Sequence, residues 1–458
     1  MQKGVVDFIT LGCSKNLVDA ERVMRQLEAA GWTCVHDPEE PKGEVCVINT
    51  CGFIGDAKEE SINMILQMAE RKKKGKLRKL IVMGCLSERY RAELEAEMPE
   101  VDEYFGKFDF LKIVESLKLN VERSSRVESC KWIERKLTTP KHYAYLKISE
   151  GCNRMCSYCA IPLITGRHTS RPMEEILDEV RWLVQQGVKE INVIAQDLSS
   201  YGLDLVKGQR DKVQSTKKHL LPELIDQMAQ IEGVEWIRLH YAYPTDFPEG
   251  LLDVMEKHKN VCKYLDIALQ HCTDHMLGLM RRHITRAEQD ALIHKIRERV
   301  PGICIRTTLL VGHPGETEED FEELKKWVKE MRFERMGCFA YSDEEGTYAN
   351  KHYKDDIPQE VKERRVEELM AIQQGISGEL MQRLVGTVQR VVIDREEGEY
   401  LIGRTQFDSP EVDCEVLIEK LRVESLELKE VEELKVGEFY NVKITKAEEF
   451  DLYGEIER

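Results

Sequence analysis

Apolar positions along this chain recur with two different periods. In the first 120 residues, short apolar runs lead into helical stripes. "VDFITLG" precedes "LVDAERVMRQLEAAG", where Leu17, Val23, Met24, Leu27 and Ala30 keep helical spacing and Gly31 is placed to end the helix. "EVCVINT" precedes "AKEESINMILQMAERKKK", and "KLIVMG" precedes "ERYRAELEAEM". Strands alternating with helices predict a doubly wound parallel sheet for residues 1–120, within an α/β protein. Residues 121–140 are polar, lack a clear period and read as a linker.

A second alternating series fills residues 141–376. Its strand-like runs are "YAYLKI", "EINVIAQ", "WIRLHYAY", "YLDIAL", "CIRTTLLVG" and "MGCFAYS", with helical stretches such as "MEEILDEVRWLVQQG" and "EEDFEELKKWVKEM" between them. They predict a partial (β/α)6 barrel whose functional loops follow the strands on one face. "LDLVKGQRDKVQSTKKH" (203–219) reads as a polar excursion between two units. After a long helical stretch the period drops to two. "TVQRVVID", "EYLIGRT", "CEVLIE", "FYNVKITKA" and "DLYGEIE" predict a small antiparallel, OB-like β-barrel over residues 377–458.

Composition narrows the class. The chain has 458 residues, 42% hydrophobic and 33% charged, which suits several globular domains. Its net charge of −17 argues against a generic nucleic-acid coat protein. Residues 380–458 hold 11 Lys and Arg against 20 Asp and Glu, a net of −9, so about half of the excess charge sits in the last barrel. "MQKGVVDFIT" runs straight into a strand with no secretory signal, and no apolar run approaches the roughly 18 residues of a membrane span. A cytoplasmic protein is expected, with reduced thiols. Its 14 cysteines then read as metal ligands and small buried hydrophobes rather than a disulfide frame.

Cys13, Cys51 and Cys85 each follow one of the three strands of the first domain at once. Ligands bind beyond the carboxyl ends of strands in open α/β sheets, so these thiols are expected to meet at one rim. A second trio is compact: "EGCNRMCSYCAIP" (150–162) sets Cys152, Cys156 and Cys159 just after the first barrel strand, with Tyr158 as an aromatic wall. Structural zinc takes four protein ligands, and His168, nine residues on, is an uncommon spacing for the fourth. Iron–sulfur clusters are held by thiolates on such loops, and three thiolates leave one iron of a cubane open.

"CNRMCSYC" after the first strand of a βα barrel resembles the radical S-adenosylmethionine superfamily. The resemblance implies that S-adenosylmethionine chelates the open iron at Cys152, Cys156 and Cys159 and is cleaved to a 5′-deoxyadenosyl radical. "LGCSKN", "NTCGFI" and "VMGCL" resemble the three cysteine segments of one branch, the methylthiotransferases, and that likeness spans essentially the whole chain. It implies a second [4Fe-4S] cluster at Cys13, Cys51 and Cys85, again with one open iron, and a TRAM-like last barrel. Cys34, Cys46, Cys130, Cys262, Cys272, Cys304, Cys338 and Cys414 match no such pattern and read as buried small hydrophobes.

By the same resemblance "VGHPGET" (311–317) lies along the adenosine, where Gly312 and Gly315 allow close backbone approach and Glu316 joins the cofactor-binding set. Thr317 and Asp320 also suit an N-terminal cap for the next helix. Gln196 and Arg306 point toward the cofactor by analogy. His313 stands where the family more often has an aromatic and is given no chemistry. His240 and His271 read as hydrogen-bonded core groups, and "RKKKGKLRK" (71–79) as a solvated helix end.

"LGCSKNLVDAE" and "NTCGFIGDAKEESI" resemble the branch acting on an aspartate of small-subunit ribosomal protein 12 rather than on tRNA adenosine. Charge points the same way, because an acidic barrel repels phosphate and suits a basic protein partner. The resemblance implies two S-adenosylmethionine molecules per turnover, one donating methyl and one supplying the radical, with electrons from a donor such as flavodoxin or ferredoxin. A non-catalytic iron–sulfur sensor is disfavoured by the full barrel and the "VGHPGET" loop.

Overall fold

Strands β1 (Val5–Thr10), β2 (Thr33–His36), β3 (Val45–Thr50), β4 (Lys79–Gly84) and β5 (Glu103–Tyr104) form the first sheet. The structure, a computed structural model, describes residues 4–117, 134–208, 219–420 and 434–457. The strand order is β2-β1-β3-β4-β5, and every pairing is parallel. Val23, Met24 and Leu27 of helix Ser14–Ala29 pack one face against Val6, Phe8, Val45 and Val47. Ile65 and Met68 of helix Gly55–Lys73 pack the other against Ile9, Ile48, Leu80 and Val82. Successive strand residues thus feed opposite cores, as the pleat requires. The hydrophobic pattern does not predict β2 and β5, whose four and two residues are too short to show a period.

This strand order reverses between β1 and β3, which opens a crevice beyond their carboxyl ends.

β6 (Tyr143–Lys147) begins the second sheet. β7 (Ser149–Glu150) and β8 (Thr169–Ser170) pair antiparallel and bracket the loop of the compact cysteine trio. β9 (Glu190–Ile194), β10 (Trp236–Ala242), β11 (Val261–Ile267), β12 (Cys304–Val311) and β13 (Arg335–Ala340) complete the six-stranded sheet in the order β13-β12-β11-β10-β9-β6. All its ladders are parallel and its edges are β6 and β13, which makes it a half-barrel. Ile191, Val193, Ile237, Leu239, Ile305 and Leu309 pack outward in the main core. Their neighbours Asn192, His240, Asp266 and Arg306 therefore turn to the opposite, concave side, whose lining is polar.

β14 (Val388–Glu397), β15 (Tyr400–Thr405), β16 (Glu415–Glu419), β17 (Phe439–Ala447) and β18 (Asp451–Ile456) close a barrel in the order β14-β15-β16-β18-β17. Its ladders are antiparallel except β16 to β18, which is parallel because the hairpin partner β17 lies on the far side of β18. The barrel docks on the amino ends of the half-barrel strands. Arg404 bridges Glu190 (2.8 Å) at the start of β9 and Asp394 (2.6 Å), while Arg335 pairs with Asp408 at 2.5 Å. Trp236 and Phe439 stack edge to face at 4.8 Å.

Of the predicted linker, residues 121–133, including Cys130, lie outside the described residues, as do residues 209–218 of the polar excursion. Arg135, in the described remainder of the linker, is buried and forms ion pairs with Glu21 at 2.9 Å and Glu179 at 3.1 Å, so this stretch is packed between the first two domains. Among the described residues no helix is long and apolar enough to cross a membrane.

Candidate cluster sites at the domain junction

The first trio sits at the crevice of the first sheet. Cys13 caps helix Ser14–Ala29, Cys51 lies just before helix Gly55–Lys73, and Cys85 begins helix Cys85–Glu97. Three thiols thus stand near helix amino ends, where the dipole favours negative sulfur. A Cβ on Gly12, whose φ is +94°, would fall 2.8 Å from Cys51 Cβ, and one on Gly52 would fall 2.7 Å from Leu86 Cα. Glycine is needed at both positions for the loops to approach this closely.

Asn16 holds the crevice together. Its Nδ2 donates to Leu11 O (3.0 Å) and Thr50 O (3.2 Å), and its Oδ1 accepts from the Cys85 thiol at 3.5 Å. Asn49 donates back to Asn16 O at 2.8 Å. Buried Lys107 reaches Cys85 Sγ at 3.9 Å. Cys13 is the exposed thiol of the trio; the crowding around it works against its thiolate, but Lys15, Lys107 and the backbone N–H groups of Asn16 and Lys15 outweigh this and lower its pKa. Burial pushes Cys85 up to about 12 despite Lys107, and raises Cys51 as well. A bound metal removes that penalty by displacing the proton.

The second trio is braced from three other strand ends. Arg154 N donates to Cys152 Sγ at 3.4 Å, and its guanidinium pairs with Asp197 at 2.6 Å. Buried Arg282 donates to Cys156 Sγ at 3.4 Å and to Tyr158 Oη at 3.3 Å, and lies 4.0 Å from the centroid of the Tyr243 ring. Tyr243 Oη is 3.5 Å from Cys156 Sγ. Burial raises Cys152 to about 12 and Cys159 further. Among the described residues no three His, Cys, Asp or Glu side chains converge closely enough for one metal ion. His168, the fourth donor a zinc site requires, contacts Ser170 Oγ at 3.1 Å.

The two trios share one junction. Cys85 packs against Ala160, the residue after Cys159, and Ile164. Beneath them Lys107 and Lys147 share Glu150, two residues before Cys152, at 3.2 and 2.7 Å, and both also meet Asp19. Burial opposes the Glu150 charge, yet the two lysines prevail and hold its pKa near 2. Gln196 donates to Glu150, and among the described residues its own Oε1, a buried acceptor, and Asn192 Nδ2, a buried donor, have no hydrogen-bond partner.

The remaining predicted positions fall in distinct places. Glu316 is fully buried, gripped by Arg365 (2.7 Å), His271 (3.2 Å) and Gly312 N–H. Gly312 has φ +73°, and a Cβ there would run into the Lys362 side chain. Thr317 and Asp320 form the capping box of helix Glu318–Met331. Arg306 pairs with Asp266 (3.4 Å) and, across the domain boundary, with Asp413 (3.3 Å). His240 bonds Asn192 at 3.2 Å. In the 71–79 run Lys72, Lys73 and Lys79 pair with carboxylates.

His313 proves structural. A carbonyl only accepts, so its Nδ1 carries the proton toward Pro314 O (2.9 Å), and Nε2 accepts from Ser157 Oγ at 3.0 Å. Burial lowers its pKa to about 4, which keeps it neutral in this role. The "VGHPGET" loop is thereby tied to the loop of the second trio. Asn16, Lys107, Glu150, Arg282 and Tyr243 were not singled out from the sequence. Asn16 and Glu150 have a local signal, their places within "LGCSKN" and "EGCNRMCSYCAIP".

Residues 5–106 match the uncharacterized protein family UPF0004, residues 146–328 the radical SAM superfamily and residues 385–456 the TRAM domain. The chain is 61% identical over 456 residues to ribosomal protein uS12 methylthiotransferase RimO of Phocaeicola vulgatus, covering 100% of both chains. It is 55% identical over 458 residues to the protein of that name from Porphyromonas gingivalis, again covering 100% of both. Among solved structures it resembles the radical S-adenosylmethionine methyltransferase TsrM of Kitasatospora setae, with a TM-score of 0.50 and 14% identity, over 73% of this chain and 74% of that one. At that identity the likeness concerns the fold.

Proposed function

The chain belongs to the family of ribosomal protein uS12 methylthiotransferases, and we propose that it attaches a methylthio group to the β-carbon of an aspartate of uS12, using two [4Fe-4S] clusters and S-adenosylmethionine. The observation that carries this reading is the meeting of two three-thiol groups at one junction, with Cys85 of one packed against Ala160 and Ile164 beside the other.

The donor sets fit such clusters. Each is all thiol, each has three members, and Lys107, Arg154 and Arg282 supply positive charge around them. Cys13, Cys51 and Cys85 would hold one cluster and Cys152, Cys156 and Cys159 the other. When bound, the second cluster with S-adenosylmethionine supplies the radical that removes hydrogen from the aspartate, and the first supplies the sulfur that is methylated.

The chain's own residues orient and shield. Arg282 and Tyr243 fix Cys156, and Tyr158 walls the site. Gln196 and Asn192 offer buried polar atoms that a polar cofactor or substrate satisfies. Glu316 acts on the cofactor through the loop it pins at Gly312. Arg306 stands at the deep end of the concave side, beside Asp266.

The electron is supplied by a reduced protein such as flavodoxin or ferredoxin, in the cytoplasm, and nucleic acid is not a substrate. Anaerobic reconstitution followed by iron analysis tests the two-cluster reading. About eight irons per chain are expected, falling by about half in either Cys85→Ser or Cys159→Ser. About four in the unaltered chain sinks it.

A further inference from the structure

Three lysines are buried at the junction, and one of them differs from the others. Lys107 and Lys147 are each paired with Asp19 and Glu150. Lys15 is 8% exposed, and among the described residues its Nζ makes no hydrogen bond or ion pair; it lies over the Tyr241 ring, 3.1 Å from its centroid, and its charge acts on Cys13 and Asp266 without contact. An ammonium withdrawn from water needs an acceptor, and an aromatic face replaces only part of its hydration.

The surroundings point to an external acceptor. Tyr241 ends β10 with φ +65°, a left-handed backbone uncommon outside glycine, and its ring stays 36% exposed. Its N–H is held by Asp266 at 3.3 Å. Next to it His240, with ring centroids 5.9 Å apart, leads to Asn192, whose Nδ2 is a buried donor with no hydrogen-bond partner among the described residues. One fully buried donor, Asn192 Nδ2, and one ammonium without a carboxylate in contact, Lys15 Nζ, therefore stand along the concave side, the second two residues from Cys13.

We propose that Lys15 receives the side-chain carboxylate of the target aspartate and so selects aspartate as the modified residue. This inference rests on the uS12 reading above. The β-carbon is bonded directly to that carboxylate carbon, so anchoring the carboxylate at Lys15 fixes the reacting carbon between the two thiol groups.

The test is binding of uS12, and of uS12 with its target aspartate changed to asparagine, by the reconstituted enzyme and its Lys15→Met and Lys15→Arg variants. The unaltered enzyme should favour the aspartate form by about 10- to 100-fold, the scale of one hydrogen bond to a charged group. K15M should bind both forms alike and K15R should regain most of the preference, compared at equal iron content because Lys15 also favours the Cys13 thiolate, and S-adenosylmethionine affinity should not change. Retention of the aspartate preference by K15M overturns the proposal. Loss of S-adenosylmethionine binding with the preference intact also overturns it, and places Lys15 on the cofactor carboxylate instead. Failure of the unaltered enzyme to bind either form overturns the uS12 reading and this inference with it.

Discussion

Replacing Asn16 by alanine removes the side chain that joins the ends of β1 and β3. Its amide donates to Leu11 O and Thr50 O at 3.0 and 3.2 Å, and the residue is 1% exposed, so water cannot substitute for it. Each buried carbonyl left without a donor costs about 1–2 kcal/mol, or about 2–4 kcal/mol together. With a urea slope of about 2 kcal/mol/M, the unfolding midpoint of the first domain should fall by about 1–2 M. Asn16→Asp is a sharper version, since a carboxylate oxygen would then face both carbonyls, and its loss should be at least as large. The assay is urea unfolding of the metal-free chain by circular dichroism, with iron content measured after reconstitution. Iron should fall by about half, because Cys13 and Cys51 lose their fixed separation while the second trio is untouched. A midpoint shift below about 0.3 M with full iron content would refute the reasoning.

His313→Phe should keep the ring packing with Tyr158, Tyr341 and Tyr353 but leave the Ser157 hydroxyl without its acceptor, a cost of about 1–2 kcal/mol. Iron loss to a chelator should accelerate at the second trio alone, and Ser157→Ala in the same chain should restore most of the stability; equal rates in H313F and the unaltered enzyme count against the tie. Glu150 gives a pH signature. Its folded pKa near 2 lies below the ordinary carboxylate value, so its stabilisation is complete above about pH 4.5 and is lost as pH falls toward 2. The unaltered metal-free chain should therefore lose up to about 3 kcal/mol more than Glu150→Gln between pH 5 and pH 2 in urea titrations. Parallel curves for the two proteins would contradict the assignment.

The alternation of strands and helices was enough to place Cys13, Cys51 and Cys85 at three strand ends, because hydrophobic period and chain direction are local properties. What β2 and β5 add is not local, since two or four residues carry no period and take strand form only through their neighbours. The same holds at the site. Lys107 acquires meaning from Glu150 and Cys85, and Arg282 from Cys156, partners that only folding brings near. Arg306 points toward the cofactor by analogy, while its guanidinium meets Asp413 of the last barrel. The acidity of that barrel is legible in the sequence, but not that Asp408 and Asp413 spend their charge on Arg335 and Arg306 of the half-barrel at the docking face. The acidic surface offered to a partner is smaller than the sequence count of −9 suggests.

The most direct test of the account is to incubate the reconstituted enzyme, reductant and S-adenosylmethionine with uS12 in one vessel and tRNA in another, and to weigh both. The account predicts a methylthio mass increment confined to one aspartate-containing peptide of uS12, with tRNA unchanged. A methylthio increment on tRNA adenosine, or on neither substrate while 5′-deoxyadenosine accumulates, would contradict it.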